Sequence, residues 1–168
     1  LDLARTGKIT AVGAATGLVV GLVGITPAAG YVTPMSGLFI GILAAGVSYT
    51  AIQIRSRTKL DDALDVFSCH GMAGIAGALL TGVFATKVVN PAGGDGLLAG
   101  NAAQIGVQLL AILATVAVAA LGTLGILALI QVTIGARADV PEESTGLDLS
   151  QHGQEAYFGT DLGGLAGT

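Results

Sequence analysis

The stretch "DVFSCHGMAGIAGALLTGVFA" (residues 65–85) sets one histidine, His70, in an apolar run studded with glycine. Crossing the hydrocarbon core of a bilayer takes about 20 residues, and this run, with Ala63 and Leu64 before it, reaches that length. It is continuously apolar instead of alternating, which makes it a helix and not a strand of a barrel. The other histidine, His152, lies in a polar tail, so His70 is the one histidine inside an apolar run.

Similar runs on either side give four spans, at roughly 9–25, 35–54, 63–85 and 105–135. The first is marginal in length; the fourth is long enough to tilt or to project beyond the bilayer. Helix breakers separate them: "ITPAAGYVTP" (25–34), the charged "RSRTKLDD" (55–62) and "NPAGGDG" (90–96). Composition agrees. Of the 168 residues 11% are charged and 52% hydrophobic, where a soluble domain carries about 25% charged residues. The net charge of −4 comes mainly from the last thirty residues, which hold six of the eleven acids. No basic patch is available to follow phosphates, so nucleic acid is not an expected partner. The fold class is an all-α membrane protein, with transmembrane helices in 1–137 and a tail in 138–168.

Basic residues set the orientation. With four spans, both ends and the 55–62 loop share one side, and Arg5, Lys8, Arg55, Arg57, Lys59 and Arg137 all fall there, against Lys87 opposite. The positive-inside rule then places the termini and that loop in the cytoplasm, and the loops at 26–34 and 86–104 outside. The expected location is the cell (plasma or inner) membrane, multi-pass, with lipid around it. The chain starts at "LDLARTGK" without an initiator methionine or a signal-peptide pattern, and is expected to be part of a longer protein.

Small residues recur at helical spacing: Gly13, Gly17, Gly21 and Gly24 in the first span, Gly37, Gly41 and Ala45 in the second, Gly74, Gly77 and Thr81 in the third. Such stripes let helix backbones approach closely in lipid. The stripe through His70 reads Val66, His70, Gly74, Gly77, Thr81, with no carboxylate. Asp61, Asp62 and Asp65 cluster where that helix begins, placed to cap free N–H groups and complement the helix dipole. Ionisable groups within a membrane usually face a protein interior or a cavity. Two readings of His70 therefore stay open: a core histidine satisfied by a neighbouring helix, or a functional one. A metal site is not expected, since the spans hold no second histidine, no paired cysteine and no carboxylate at ligand spacing. Nor is an enzyme: Ser68 points elsewhere on the helix and nothing resembles a nucleophile elbow. Cys69, the single cysteine, reads as a small packing residue.

Four stretches, "GLVGITPAAGYVTP" (21–34), "DDALDVFSCHGMAGIAGALLTGVFA" (61–85), "LIQVTIGARADVPEESTGLD" (129–148) and "HGQEAYFG" (152–159), together resemble the C-terminal part of an ammonium transporter of the Amt/MEP/Rh family. The resemblance implies helices eight to eleven of an eleven-helix inverted-repeat fold, a homotrimer with one pore per subunit, and no cofactor. It puts His70 on the inner twin-histidine position and Val66 on a pore-lining position one turn before it. Asp62 and Asp65 match acidic positions at the helix start. It also implies a regulatory tail, carried by Gly146, Leu147, Asp148, His152, Gly153 and Tyr157, that engages a PII signalling protein.

The sequence departs from the family at two places. Ser68-Cys69 replaces the Gly-Val common before the histidine, and His152-Gly153-Gln154 replaces "HGE". The function implied is ammonium or ammonia transport, with ammonium deprotonated near the pore mouth and a proton relayed along the histidines. The competing reading is an ammonium sensor of the same fold, acting through its tail and a PII partner.

Overall fold

The computed structural model describes residue 3 and residues 7–154, and every regular element among them is helical. The chain divides into two compact units, Leu1–Ala117 and Val118–Thr168. The boundary falls within the longest helix. Four helices are long and apolar enough to cross a membrane: Ala11–Ala28, Pro34–Arg55, Phe67–Phe84 and Ala103–Thr133.

The first two begin where local chemistry predicts. Helix α1 (Ala11–Ile25) is capped by Thr10, whose side chain accepts from the Gly13 N–H at 3.0 Å, and it continues into a short 3₁₀ turn at Thr26–Ala28. Helix α2 (Pro34–Arg55) has Thr33 as its cap, accepting from the Ser36 N–H at 3.2 Å, with Pro34 at the first helical position. The third span is composite, a π-helical turn at Phe67–Met72 followed by α3 (Ala73–Phe84). Helix α4 (Ala103–Thr133) is the fourth.

Glycine governs the packing of the first three spans. A Cβ at Gly24 would lie 2.5 Å from the Ala44 Cβ of α2, and a Cβ at Gly77 of α3 would run into the Gly24 carbonyl oxygen. Three helices therefore converge where nothing larger than the Ala44 methyl fits. Around this crossing Val20, Ala44, Cys69 and Ala73 form one buried cluster, and Ala28, Val32 and Ile40 a second, joined by Ile25, Leu80 and Phe84. The start of α4 joins α3 through another glycine: a Cβ at Gly82 would stand 3.0 Å from Gln108 Cγ and 3.2 Å from Ile105 Cα. Loops lock the end of the unit near Thr33. The Thr86 N–H donates to the Tyr31 carbonyl at 2.9 Å, and the Asn101 side-chain amide donates to the Asp95 carbonyl at 3.0 Å.

Some expectations are refined. In the first span Gly17 and Gly21 have nothing within 4 Å of a would-be Cβ, so the expected stripe makes its closest approach at Gly24. The third span starts later than residue 63, because Ala63 and Leu64 form a turn and Asp65 adopts φ 54°.

The outward surface is strongly apolar, with Leu18, Leu22, Leu38, Ile42, Leu113 and Leu121 all exposed. Leaving such a side chain in water forfeits about 1.5–3 kcal/mol each, so these faces are made for lipid or for other helices.

In the second unit, α5 (Val140–Thr145) and α6 (Leu147–His152) are joined at Gly146, with φ 98°. Arg137 Nε donates to Glu143 Oε1 at 2.8 Å and Nη2 to Oε2 at 3.1 Å, a forked pair that holds the Glu143 carboxyl below its ordinary value. The pair is therefore complete above the usual glutamate range and is lost as pH falls through the lowered value.

The crossing is testable within a single helix. Gly77→Ala should lower the melting temperature of the detergent-solubilised full-length protein, since even one methyl meets backbone, with a cost of about 1–3 kcal/mol. Gly74→Ala should leave it nearly unchanged, because its Cβ would meet Val23 Cγ1 at 4.0 Å, an ordinary contact. Equal melting of the two variants would contradict the packing.

Candidate functional site

The site is built from the start of the third span. Asp62 supplies the cap: its Oδ1 accepts from the Val66 N–H at 2.8 Å and its Oδ2 from the Phe67 N–H at 3.0 Å. One carboxylate thus satisfies two of the donors a helix start leaves free, at the end where the dipole favours negative charge. Asp65 does a different job. Its carboxylate pairs with Arg55 at 2.6 Å, while its carbonyl accepts from the Cys69 N–H at 2.8 Å.

Next comes the π-turn, Phe67–Met72, which contains His70. Winding one extra residue into a turn rotates everything after it by roughly one residue's share of an α-helix, about 100°. The consequence is visible in burial. Ser68, Cys69 and Ala73 are buried against the other helices, and farther on Gly77 and Thr81 are buried, whereas Val66 and His70 are exposed. The single stripe read from Val66 to Thr81 is therefore two faces. Val66 and His70 share the outward one; Gly77 and Thr81 lie on the packing face, and half-buried Gly74 falls between. This geometry takes His70 out of the core of this unit.

Phe67, also exposed, lies over Gly71, where a Cβ would stand 3.2 Å from its ring. Ser68 is fully buried and its hydroxyl has no hydrogen-bond partner among the described residues. Buried unpaired hydroxyls of this kind cost stability, and π-turns collect at functional positions.

A cleft of about 530 Å³ opens between α1 and α2, lined among others by Thr10, Gly13, Gly17, Ser48 and Tyr49, with Asp65 at its edge. His70 is not among its walls, so this cleft and the histidine are separate features. Among the described residues no group of three His, Cys, Asp or Glu side chains could hold a metal ion.

Of the tail positions, Gly146 and Gly153 take positive φ at the ends of short helices, and Leu147, Asp148 and His152 belong to α6. Tyr157 lies outside the described residues. The residue that sequence reasoning missed is Arg55 as partner of Asp65. The 55–62 loop offers three cations and two acids, and spacing alone does not pair them. The π-turn was missed too, since the glycine and alanine around it keep the same apolar pattern in either winding.

What this arrangement offers chemically is an imidazole on an otherwise apolar outward face. Such a ring donates from one nitrogen, accepts at the other, and passes protons between them.

Comparison with known proteins places the chain. The Ammonium Transporter Family model matches residues 1–157. The ammonium transporter of Bacillus subtilis is 44% identical over 151 residues, covering 89% of this chain and 37% of the relative. The crystal structure of Saccharomyces cerevisiae Mep2 superposes with a TM-score of 0.75 at 32% identity, covering 96% of this chain and 35% of that one. Candida albicans Mep2 gives a TM-score of 0.75 at 34% identity, over 84% and 32% of the two chains. The chain thus spans about a third of the length of these relatives, and with four membrane-length helices it is a membrane-embedded protein. It belongs to the ammonium transporter family.

Proposed function

We propose that this chain supplies the His70 side of a conduit through which the full-length protein carries ammonium nitrogen across a membrane. The observation that supports it is the outward placement of His70 and Val66 by the π-turn, in an apolar helix of a chain from this family. The physical problem is selectivity. Ammonium resembles potassium in size and charge, and moving either bare cation through a dry apolar channel costs many kcal/mol. Giving up a proton at the mouth removes that cost for ammonium alone, and the ammonia left behind passes along a histidine-lined stretch. His70 is then the inner member of a two-histidine proton relay whose partner lies on a segment outside this chain. Val66 lines the path beside it.

The same reading includes a homotrimer, a cytoplasmic C-terminus in the cell (plasma or inner) membrane, and residues 138–168 as a regulatory tail that a PII-type protein engages. The tail's Gly146, Leu147, Asp148, His152, Gly153 and Tyr157 are its contact positions. Deprotonation, relay and regulation all require the full-length protein.

His70→Ala in the full-length transporter should leave folding nearly intact, because the exposed ring takes no part in the packed clusters. Ammonium uptake should fall by about a hundredfold or more, the scale on which positioned proton transfer usually acts, or selectivity against potassium should be lost. His70→Glu should keep partial conduction with altered selectivity, since a carboxyl still exchanges protons. Unchanged uptake and selectivity in His70→Ala would remove the histidine from the mechanism. Orientation is read separately: a cysteine in the 86–104 loop should label from outside the cell, and one beside Arg57 should not. Deleting residues 146–168 should leave the membrane helices assembled yet lower transport or abolish its control by the PII-type partner. Normal uptake and normal inhibition after that deletion would make the tail a passive extension.

A further inference from the structure

The ion pair at the start of the third span points beyond the helix it begins. Arg55 is the last residue of α2, and its Nη2 lies 2.6 Å from Asp65 Oδ1, with both side chains about three-quarters covered (24% and 27% exposed). Its Nε and Asp65 Oδ1 are both buried without a hydrogen-bond partner among the described residues, so the two side chains meet as a close ion pair without a hydrogen bond, and Asp65 is the acid that compensates this guanidinium. Asp65 is itself held in an unusual state. It is the one residue other than glycine with positive φ among the described residues, at 54°. L residues occupy that region at a cost, and one that does so is fixed by its surroundings.

Asp65's backbone is tied on both sides. Its N–H donates to the Asp62 carbonyl at 3.1 Å, and its carbonyl accepts the Cys69 N–H at 2.8 Å, the bond that leads into the π-turn. His70 follows Cys69 directly. Helix α2 acts on this segment twice. Its Ala44 packs in the cluster with Cys69 and Ala73, and its final residue clamps the turn that precedes them.

We propose that Arg55 is a positioning residue for His70, acting through Asp65: the guanidinium holds the left-handed turn, and that turn sets the direction from which the π-turn presents the imidazole. The inference rests on the reading of His70 as a conduit residue, but its geometric part stands without it. Asp62 and Asp65 then have separate duties, one satisfying the helix start and the other transmitting the grip of α2. A change at the 55–62 loop would reach the histidine by this route without touching it.

The test uses the full-length transporter, purified and reconstituted in vesicles, with the ¹⁵N imidazole resonance of His70 assigned by its loss in His70→Ala. Arg55→Gln should shift that resonance and lower the saturating rate of ammonium transport by about tenfold to a hundredfold, the scale on which small misplacements act. The half-saturating ammonium concentration should stay the same. Arg55→Lys, which keeps the charge, should recover most of both. Arg57→Gln, an exposed cation of the same loop, should leave the resonance in place. If Arg55→Gln does not fold, Asp65→Asn serves instead, since asparagine keeps the shape and tolerates positive φ while losing the ion pair. A His70 resonance unmoved in a folded variant overturns the proposal whatever happens to transport, and so does an equal shift in Arg57→Gln. A wild-type protein that carries no ammonium, with a resonance that still moves in Arg55→Gln, would sink the conduit reading and leave the positioning role standing.

Discussion

The backbones of α1 and α3 meet at Gly24 and Gly77 with no room for a methyl group, and the other helix contacts of the first unit are arranged around that crossing. Hydrophobicity does not draw helices together in lipid, because lipid tails are as apolar as leucine; close van der Waals contact does, and it depends on small residues. Ala44 of α2 fits against Gly24 from the other side, which brings Val20, Cys69 and Ala73 into one buried cluster. A larger side chain at Gly77 would push α3 off α1, and one at Gly24 would push α2 away, and either would open that cluster. The crossing decides which side of the third span is inward.

Given that choice, the π-turn decides what remains outward. In an unbroken α-helix the face through His70 would also carry Gly77 and Thr81, and packing Gly77 against Gly24 would draw the histidine toward the same interface. The wider turn at Phe67–Met72 separates the two requirements: Gly77 and Thr81 pack inward while His70 and Val66 face away. One fully buried serine hydroxyl at position 68 without a partner is part of what this winding costs. The proposed relay depends on that separation, since an imidazole pressed among Val20, Ala44 and Cys69 would have no path to exchange protons along.

Much of this was legible in the residues themselves. The four spans stood out because continuous apolar runs bounded by Pro, Gly and charged loops have few other readings, and their ends fell within a few residues of the helices observed. Asp62 was readable at a helix start, since a short polar side chain before an apolar run accepts free N–H groups. Other features were not readable. Periodicity assumes one winding throughout, so the π-turn was invisible and the Val66–Thr81 stripe was drawn as a single face. The glycine spacing of α1 suggested a packing stripe, of which Gly24 makes the close contact while a Cβ at Gly17 or Gly21 would meet nothing; that depends on where a neighbouring helix crosses. Pairing of Arg55 with Asp65 depends on the path of a loop between two helices, which charge counting cannot trace. The two short helices after Arg137 were hidden in a polar, acid-rich segment with no apolar periodicity to mark them.

Direct observation of the third span in the full-length protein tests the central claim, that the π-turn frees His70 from the packing face. An electron cryo-microscopy map of the protein in lipid, at a resolution that shows side chains, should trace a wide turn from Phe67 to Met72. Gly77 should lie against Gly24, and the His70 ring should point away from Val20 and Ala44 into a space lined by helices outside this chain. A regular α-helix through residues 66–84, with the His70 ring among Val20, Ala44 and Cys69, would contradict it.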